Sequence, residues 1–342
     1  MRRIAVLPGD GIGPEVVAEA LRVLEAVAPE LETDVLSHVS ADTFLATGTA
    51  LSDKDFARVA DSDGALLGAV GDPRVTDPGY ARDVLLRLRF ELDLYVNHRP
   101  ATLLHDRLSP LRDAARRAID CTVVRENTEG LYAGIGGALR GGTEHETAVD
   151  TEVSTHRGVS RAMDFAFAHA TRSVTLVDKA NAVPNNGALW QRCFREASAR
   201  RPELPTRHLY IDAAVMHLVE DPTAFDMIVA NNSHGDVLSD LTAQLAGGMG
   251  TAASANLNPE TGFVLCEPVH GSAPDLAGTG TANPLAAILS AALLLDRASR
   301  GTEAAAVRDA VGRTIAKRLC TPDLGGSLST SEAGSAVLDE LS

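Results

Sequence analysis

The sequence predicts an α/β fold built on a substantially parallel sheet. Short apolar runs of strand length alternate with helical stretches along nearly the whole chain. That alternation is what a parallel sheet with helical crossovers requires. One segment breaks the pattern. Residues 134–153 are rich in Gly, Thr and charge and end in the alternating Thr147-Ala148-Val149-Asp150-Thr151-Glu152-Val153. The segment reads as a β-ribbon arm, and an arm that leaves a core usually holds a partner subunit.

The elements follow in order. Residues 4–7 form the first strand, and Gly9-Asp10-Gly11-Ile12-Gly13-Pro14 leads from it into a helix over 14–27. This turn looks like a dinucleotide fingerprint, but Pro14 stands where the third glycine of G-x-G-x-x-G is needed for close helix–strand packing. Pro14 instead fits the first position of a helix. A standard Rossmann reading is therefore rejected in favour of a strand–turn–helix connection that needs glycines. Residues 64–67 form a strand, and 82–92 a helix carrying Leu85, Leu86, Arg87 and Arg89. Leu85 lies one turn before Arg89 on the same face, whereas Arg87 points elsewhere and is solvated. Arg99 precedes Pro100 after the apolar run Leu94-Tyr95-Val96, and Arg125 ends a buried-looking strand over 121–124. Beyond the arm come a helix over 159–171, a strand over 173–177, helices over 186–197 and 213–218, a strand over 227–229 and an apolar helix over 284–297.

Composition bounds the function. The chain has 342 residues, 45% hydrophobic and 23% charged, which suits an ordinary globular protein of two domains or one elaborated one. Its formal net charge of −15 repels a phosphate backbone, and no Lys/Arg run makes a local exception. Nucleic-acid binding is not expected. Cys121, Cys193, Cys266 and Cys320 are far apart and form no C-x-x-C pair, so free thiols in a reducing compartment are expected, and zinc and a disulfide framework both fit the spacing poorly. The N-terminus enters a strand pattern without the features of a signal peptide. No apolar run reaches the ~18 residues of a membrane span. The expected location is cytoplasmic.

The chemistry concentrates in Asn232-Ser233-His234-Gly235-Asp236-Val237-Leu238-Ser239-Asp240, which reads as a strand end passing through Gly235 into a helix. Asp236 and Asp240 then share a helix face. Two such carboxylates repel each other unless a cation sits between them, and hard oxygen ligands suit Mg²⁺ or Mn²⁺. An exposed pair of helix aspartates, one of them a cap, is the equal alternative on this segment alone. Arg89, Arg99 and Arg125 together can hold a dicarboxylate bidentately; singly, each more readily makes a structural ion pair. Lys179 follows a strand end at Asp178, where it is either a desolvated general base or a surface partner of Asp178. Tyr132, in a glycine-rich loop, can serve as a proton donor. Asp212, an acid between apolar residues, calls for a reason such as a metal. His145, His156 and His217 have no partner spacing and read as structural or exposed. The segment from Glu267 to Gly278 has many small residues and little periodicity, so a backbone approaches something bulky there. Asp275 in it can accept both hydroxyls of an adenosine ribose and would repel a 2′-phosphate, which favours NAD over NADP.

Taken together, these motifs resemble the β-decarboxylating dehydrogenases, the isocitrate/isopropylmalate dehydrogenase family. The resemblance runs from Gly9-Asp10-Gly11-Ile12-Gly13-Pro14-Glu15 to Thr321-Pro322-Asp323-Leu324-Gly325-Gly326 and includes the arginine set, the Gly-Asp-x-x-x-Asp segment and His270-Gly271-Ser272-Ala273-Pro274-Asp275. Within the family the chain is most similar to the actinobacterial kind of 3-isopropylmalate dehydrogenase. The resemblance implies two α/β domains around a shared sheet. Residues 1–99 with 250–342 would bind the nucleotide, and residues 100–249 would bind substrate and metal and dimerise. It also implies a homodimer with shared active sites, NAD as cofactor and Mg²⁺ or Mn²⁺ as metal. Arg89, Arg99 and Arg125 match the arginines that hold the carboxylates of a 3-substituted malate, with Leu85 and Leu86 beside its substituent. Asp236 and Asp240 match the metal ligands, and Asp212 matches a third supplied by the other subunit. Lys179, also supplied across the dimer, matches the base, and Tyr132 matches the acid that protonates the enol. Ile12, His270, Gly271, Ser272, Ala273, Pro274, Asp275, Leu276 and Asn283 match the cofactor site.

Three departures stand out: His98 before Arg99, His234 before Gly235, and Ala81-Arg82-Asp83 before the leucines. They leave the reaction type intact and bear on the 3-substituent. Leu85 and Leu86 favour an apolar one, which implies 3-isopropylmalate and leucine biosynthesis. The histidines and Arg82 favour an anionic one, such as a phosphonomethyl or carboxyalkyl group; the alternative activities are those of isocitrate, homoisocitrate, tartrate or phosphonomethylmalate dehydrogenases. A non-catalytic regulatory subunit is disfavoured because the matching Lys, Tyr and Asp residues are all present.

Overall fold

The computed structural model describes residues 1–77 and 79–342. The α/β expectation holds. Packing divides the chain into two units, Met1–Leu94, Thr102–Arg117 and Ala243–Ser342 in one, Tyr95–Ala101 and Ala118–Thr242 in the other. Residues 102–117, placed with the second domain by the sequence division, fall in the first unit. Arg107 ties them there by donating to the carbonyls of Ile315 and Leu324.

The first unit has the strand order Glu32–Val35, Arg3–Gly9, Gly64–Ala69, Val264–Pro268, Ala253–Leu257. All pair in parallel except the last two, which are antiparallel. Helix Leu285–Arg297 is buried continuously from Leu285 to Leu295. It is apolar on every face because helices Gly13–Val27 and Gly301–Ala316 and the sheet all pack against it. A second core contains Leu7, Leu36, Leu67, Tyr80, Val84 and Leu88. The helix expected at 82–92 is a compound one: Gly79–Ala81 and Arg87–Glu91 are α-helical and Arg82–Leu86 between them is a π-helix. Val84 and Leu88 are buried, while Leu85 packs from the side against the same core.

In the second unit the order is Val96–Thr102, Asp120–Glu126, Met227–Ala230, Val174–Asp178, Thr206–Tyr210, and the last four strands run parallel. Helices His156–His169 and Pro184–Arg200 pack on one another. The arm is an antiparallel ribbon of Gly136–Leu139 and Thr147–Asp150, exposed at every residue, with Leu139 71% and Val149 54% accessible. Helix Ile211–Glu220 likewise presents Met216 and Val219 to the outside, 66% and 51% accessible. Among the described residues no helix is long and apolar enough to cross a membrane. All four cysteines are free and buried.

Candidate active site

The helix carrying the two aspartates spans Asn232–Leu245 and starts three residues before Gly235, rather than after it. Asn231, at the end of the buried strand Met227–Ala230, accepts the His234 N–H on its side-chain oxygen at 2.9 Å and so satisfies a donor of the first turn. Gly235 lies inside the helix because that turn presses on Arg125: a Cβ there would stand 2.6 Å from the Arg125 Cβ. This close approach sets the site. Arg125 is 2% exposed and donates through Nε to Asn232 at 2.8 Å and through Nη1 to Asp236. Arg99 donates from Nη1 to Ser239 at 2.7 Å and to Asp240 at 3.1 Å, and its ion pair with Asp236 measures 3.5 Å. The Tyr132 hydroxyl donates to the second Asp236 oxygen at 3.2 Å, and its ring lies 5.4 Å from the Arg125 guanidinium.

Five expected site residues thus meet at one place. In this structure Arg99 and Arg125 make internal ion pairs, and their partners are the two candidate metal ligands. Burial lifts the Asp240 carboxyl above its ordinary range; Arg99 opposes the shift and Asp236 adds to it. Burial also lifts the Tyr132 hydroxyl, reinforced by Asp236. An oxygen-only donor pair in which one carboxylate is reluctant to ionise fits a hard divalent cation, which would relieve the repulsion. Among the described residues no third carboxylate completes the set.

Asp212 is elsewhere, paired with Lys179 at 2.8 Å, its side chain 65% exposed. That hydrogen bond holds its carboxyl below the usual range. Asp178 is not the partner of Lys179: it is buried and accepts from Gln191, His208 and the Ala180 N–H at 2.8–3.1 Å. His234 lies with Asp178, Lys179, Glu152 and Trp190 around a small cavity. Burial holds its imidazole neutral to lower pH, and its Nδ1 is buried without a hydrogen-bond partner among the described residues. His98 sets its ring edge-on to Phe165 at 5.9 Å.

In the first unit Arg89 donates to Glu267 at 3.1 Å, and the same carboxylate oxygen accepts from Asn256 at 2.8 Å. Sequence reasoning gave Glu267 no role, although a carboxylate inside the buried strand Val264–Pro268 is itself a signal. Arg87 is a correction. It is bound to Asp53, Glu91 and the Leu51 carbonyl and lies 4.8 Å from the Phe56 ring, because its long stem folds back over the preceding helix. The glycine turn behaves as a structural connection. Gly11 has φ +58 and a Cβ there would meet the Ser272 carbonyl at 2.0 Å, while the Ile12 N–H donates to that carbonyl at 2.9 Å. The turn therefore braces the 270–276 loop. On that loop Gly271, Pro274, Asp275 and Leu276 are exposed and Ser272 and Ala273 half-buried. The His270 Nδ1 is 2.9 Å from the Gly271 carbonyl, and its Nε2 is buried with no partner among the described residues. An orphaned polar atom and an exposed carboxylate on one braced loop fit a ribose-bearing cofactor. Asn283 is already engaged, accepting the Leu285 N–H and donating to Asp323.

Comparison with known proteins adds the following. The family described as isocitrate/isopropylmalate dehydrogenase matches residues 3–337. The chain is 48% identical to the 3-isopropylmalate dehydrogenase of Clavibacter sepedonicus, over 99% of this chain and 98% of the relative. It is 46% identical to that of Streptomyces coelicolor, over 98% and 96%. Among solved structures it is similar to an isocitrate dehydrogenase from Methylococcus capsulatus, with TM-score 0.91 and 34% identity over 100% and 99% of the chains. A β-decarboxylating dehydrogenase from Thermococcus kodakarensis has TM-score 0.82 and 37% identity over 100% and 96%.

Proposed function

The chain belongs to the isocitrate/isopropylmalate dehydrogenase family, and on that premise we propose that it oxidises and decarboxylates 3-isopropylmalate to 2-oxo-4-methylpentanoate, as in leucine biosynthesis. The observation that carries the reading is the meeting of Asp236 and Asp240 with Arg99, Arg125 and Tyr132 in a chain with such relatives. When bound, NAD⁺ supplies the hydride acceptor and Mg²⁺ or Mn²⁺ a Lewis acid at the C2 oxygen. Arg89, Arg99 and Arg125 hold the substrate carboxylates, and release Glu267, Asp240 and Asp236 to do so. Lys179 takes the C2 hydroxyl proton. Once CO₂ has left, Tyr132 returns a proton to carbon; its raised pKa keeps it protonated until then.

Asp236 and Asp240 are the metal ligands from one chain, and Asp212 and Lys179 come from a second copy, making a homodimer with shared sites. The two-carboxylate half-site and the pairing of half-buried Lys179 with exposed Asp212 support this, as do the exposed apolar residues of the arm and of helix Ile211–Glu220. NAD is held by the 270–276 loop with Ile12 and Asn283, and Asp275 selects it over NADP.

Leu85 and Leu86, both half-buried on the compound helix, make the substituent wall. Burying an isopropyl group contributes about 0.8 kcal/mol per carbon, whereas an uncompensated anion there costs far more. The test is NADH formation on 3-isopropylmalate and isocitrate with Mn²⁺, with and without EDTA. A higher kcat/KM for 3-isopropylmalate, abolished by EDTA and narrowed by Leu85→Ser, is expected. A preference for isocitrate, or turnover in EDTA, overturns the reading.

A further inference from the structure

His156, Cys193 and Glu196 lie far from the aspartate cluster in sequence, and each alone is ordinary: a histidine at a helix start, a buried thiol and a surface acid. The fold brings them together. Cys193 and Glu196 are three apart on helix Pro184–Arg200 and so share a face. His156 opens helix His156–His169, which packs against that face. One ligand atom from each lies within 4.8 Å of the other two, and this is the only such His/Cys/Asp/Glu group among the described residues. The His156 Nε2 is 3.6 Å from the Glu196 carboxylate. Ligand atoms about 2.0–2.3 Å from a tetrahedral zinc ion stand about 3.3–3.7 Å apart, so this edge already has the required length.

Ser160 supplies the supporting contact. Its hydroxyl lies 3.3 Å from the His156 Nδ1 and 3.6 Å from the Cys193 sulfur. A hydroxyl accepting from Nδ1–H leaves the Nε2 lone pair directed at Glu196, the tautomer a metal needs; a partner on the far ring nitrogen is a regular feature of histidine metal ligands. The donor set of one thiolate, one imidazole and one carboxylate is the opposite of the oxygen-only pair at Asp236 and Asp240, so the two sites discriminate between ions by hardness. We propose that His156, Cys193 and Glu196 form a second divalent-metal site, for zinc or a similar borderline-soft ion. The site has three protein ligands and a fourth position open to water. It clips the start of helix His156–His169 to the middle of helix Pro184–Arg200.

The experiment uses the intact chain, stripped by chelator and returned to excess Mg²⁺ so that any oxygen-ligand site is filled, then titrated with Co²⁺. The expected result is one Co²⁺ per chain with an intense near-ultraviolet thiolate-to-cobalt band, displaced by Zn²⁺, and a Zn²⁺-dependent rise in Tm. Cys193→Ser removes the band. Because Cys193 is buried and that variant can misfold, His156→Ala and Glu196→Gln serve as the second pair; both residues are largely exposed. Each is expected to weaken Co²⁺ binding by about tenfold or more. Absence of a thiolate band in the unsubstituted protein overturns the proposal, as does a band of unchanged affinity in both exposed variants. Either result leaves an ordinary surface His–Glu pair. Neither depends on the dehydrogenase activity.

Discussion

At the scale of single residues, the site rests on close approaches that only a glycine permits. Gly235 shows this most sharply. Inside a helix an alanine is ordinarily better than glycine by about 1 kcal/mol. Here its Cβ would fall 2.6 Å and 2.8 Å from the Cβ and Cγ of Arg125, a buried side chain fixed by Asn232 and Asp236. Overpacking of this kind costs about 1–3 kcal/mol, so the contact outweighs the propensity. Gly235→Ala is expected to lower the denaturant midpoint and to cut kcat/KM by moving Arg125. An unchanged midpoint would mean that the helix can lift off Arg125 freely. The same scale shows what was legible. Asp236 and Asp240 were found because a spacing of four on a helix is visible in one dimension. Arg99 and Arg125 stood out because each follows an apolar run, and Tyr132 because it lies in a glycine-rich loop; the structure places Arg99 in the middle of strand Val96–Thr102. Glu267 was passed over because it was read as the start of the small-residue segment 267–278, and Arg87 was misplaced because the reach of an arginine stem is invisible in sequence. The His156–Cys193–Glu196 group joins two helices far apart in the chain and no local pattern announces it.

At the scale of elements, the alternation of apolar runs and helical periods placed five buried strands and most of the longer helices, but it missed the buried strands Ala253–Leu257 and Val264–Pro268 and the helix Gly301–Ala316. The exceptions have physical reasons. Strand Glu32–Val35 is polar and mostly exposed at a sheet edge, so it lacks the apolar run that marks its neighbours. Strand Thr206–Tyr210 alternates between exposed and half-buried positions at the opposite edge of its own unit. Helix Thr330–Leu341 carried a readable start, the Ser329–Glu332 capping box, which was overlooked. The π-helical turn Arg82–Leu86 had no signal. It inserts an offset just before Arg89, and such turns are frequent at functional sites. Asp226 shows how one side chain joins elements. It accepts N–H groups from Thr171 at 2.9 Å and Ser173 at 3.0 Å, and from Arg172, pinning the entry of strand Val174–Asp178 beside strand Met227–Ala230. Burial works against its ionisation, but the three backbone donors together outweigh it and hold the carboxyl below the ordinary value of 3.8. A depressed folded-state pKa gives stability that is fully present above 3.8 and disappears as pH falls through the lower folded value. Asp226→Asn should therefore be destabilised at neutral pH, with a gap to the unsubstituted protein that closes on acidification below that range. Urea midpoints measured across pH decide it; a gap that is constant with pH would show that the carboxylate charge contributes nothing.

At the scale of the whole molecule, the resemblance named the family correctly because its motifs extend over nearly the full chain, and the family match covers residues 3–337. Assembly is a different kind of property. An arm whose residues are all exposed and a helix showing Met216 and Val219 to solvent are surfaces without an occupant in one chain. The proposed catalytic residues are divided in a matching way: Arg125 and Tyr132 stand with Asp236, while Lys179 stands with Asp212. If the two halves complete each other across a symmetric dimer, each site takes Arg125 from one chain and Lys179 from its partner. Lys179→Ala and Arg125→Ala homodimers should then each be inactive. In a heterodimer of the two, one site has lost both groups and the other has both intact. Random exchange makes half the dimers mixed, so an equal mixture should regain about a quarter of the unsubstituted activity. If both groups act within one chain, no chain in the mixture carries the pair, and activity stays at the level of the separate variants however long exchange proceeds. Following subunit exchange by mass spectrometry while recording NADH formation separates these outcomes, because recovery must rise in step with the mixed species.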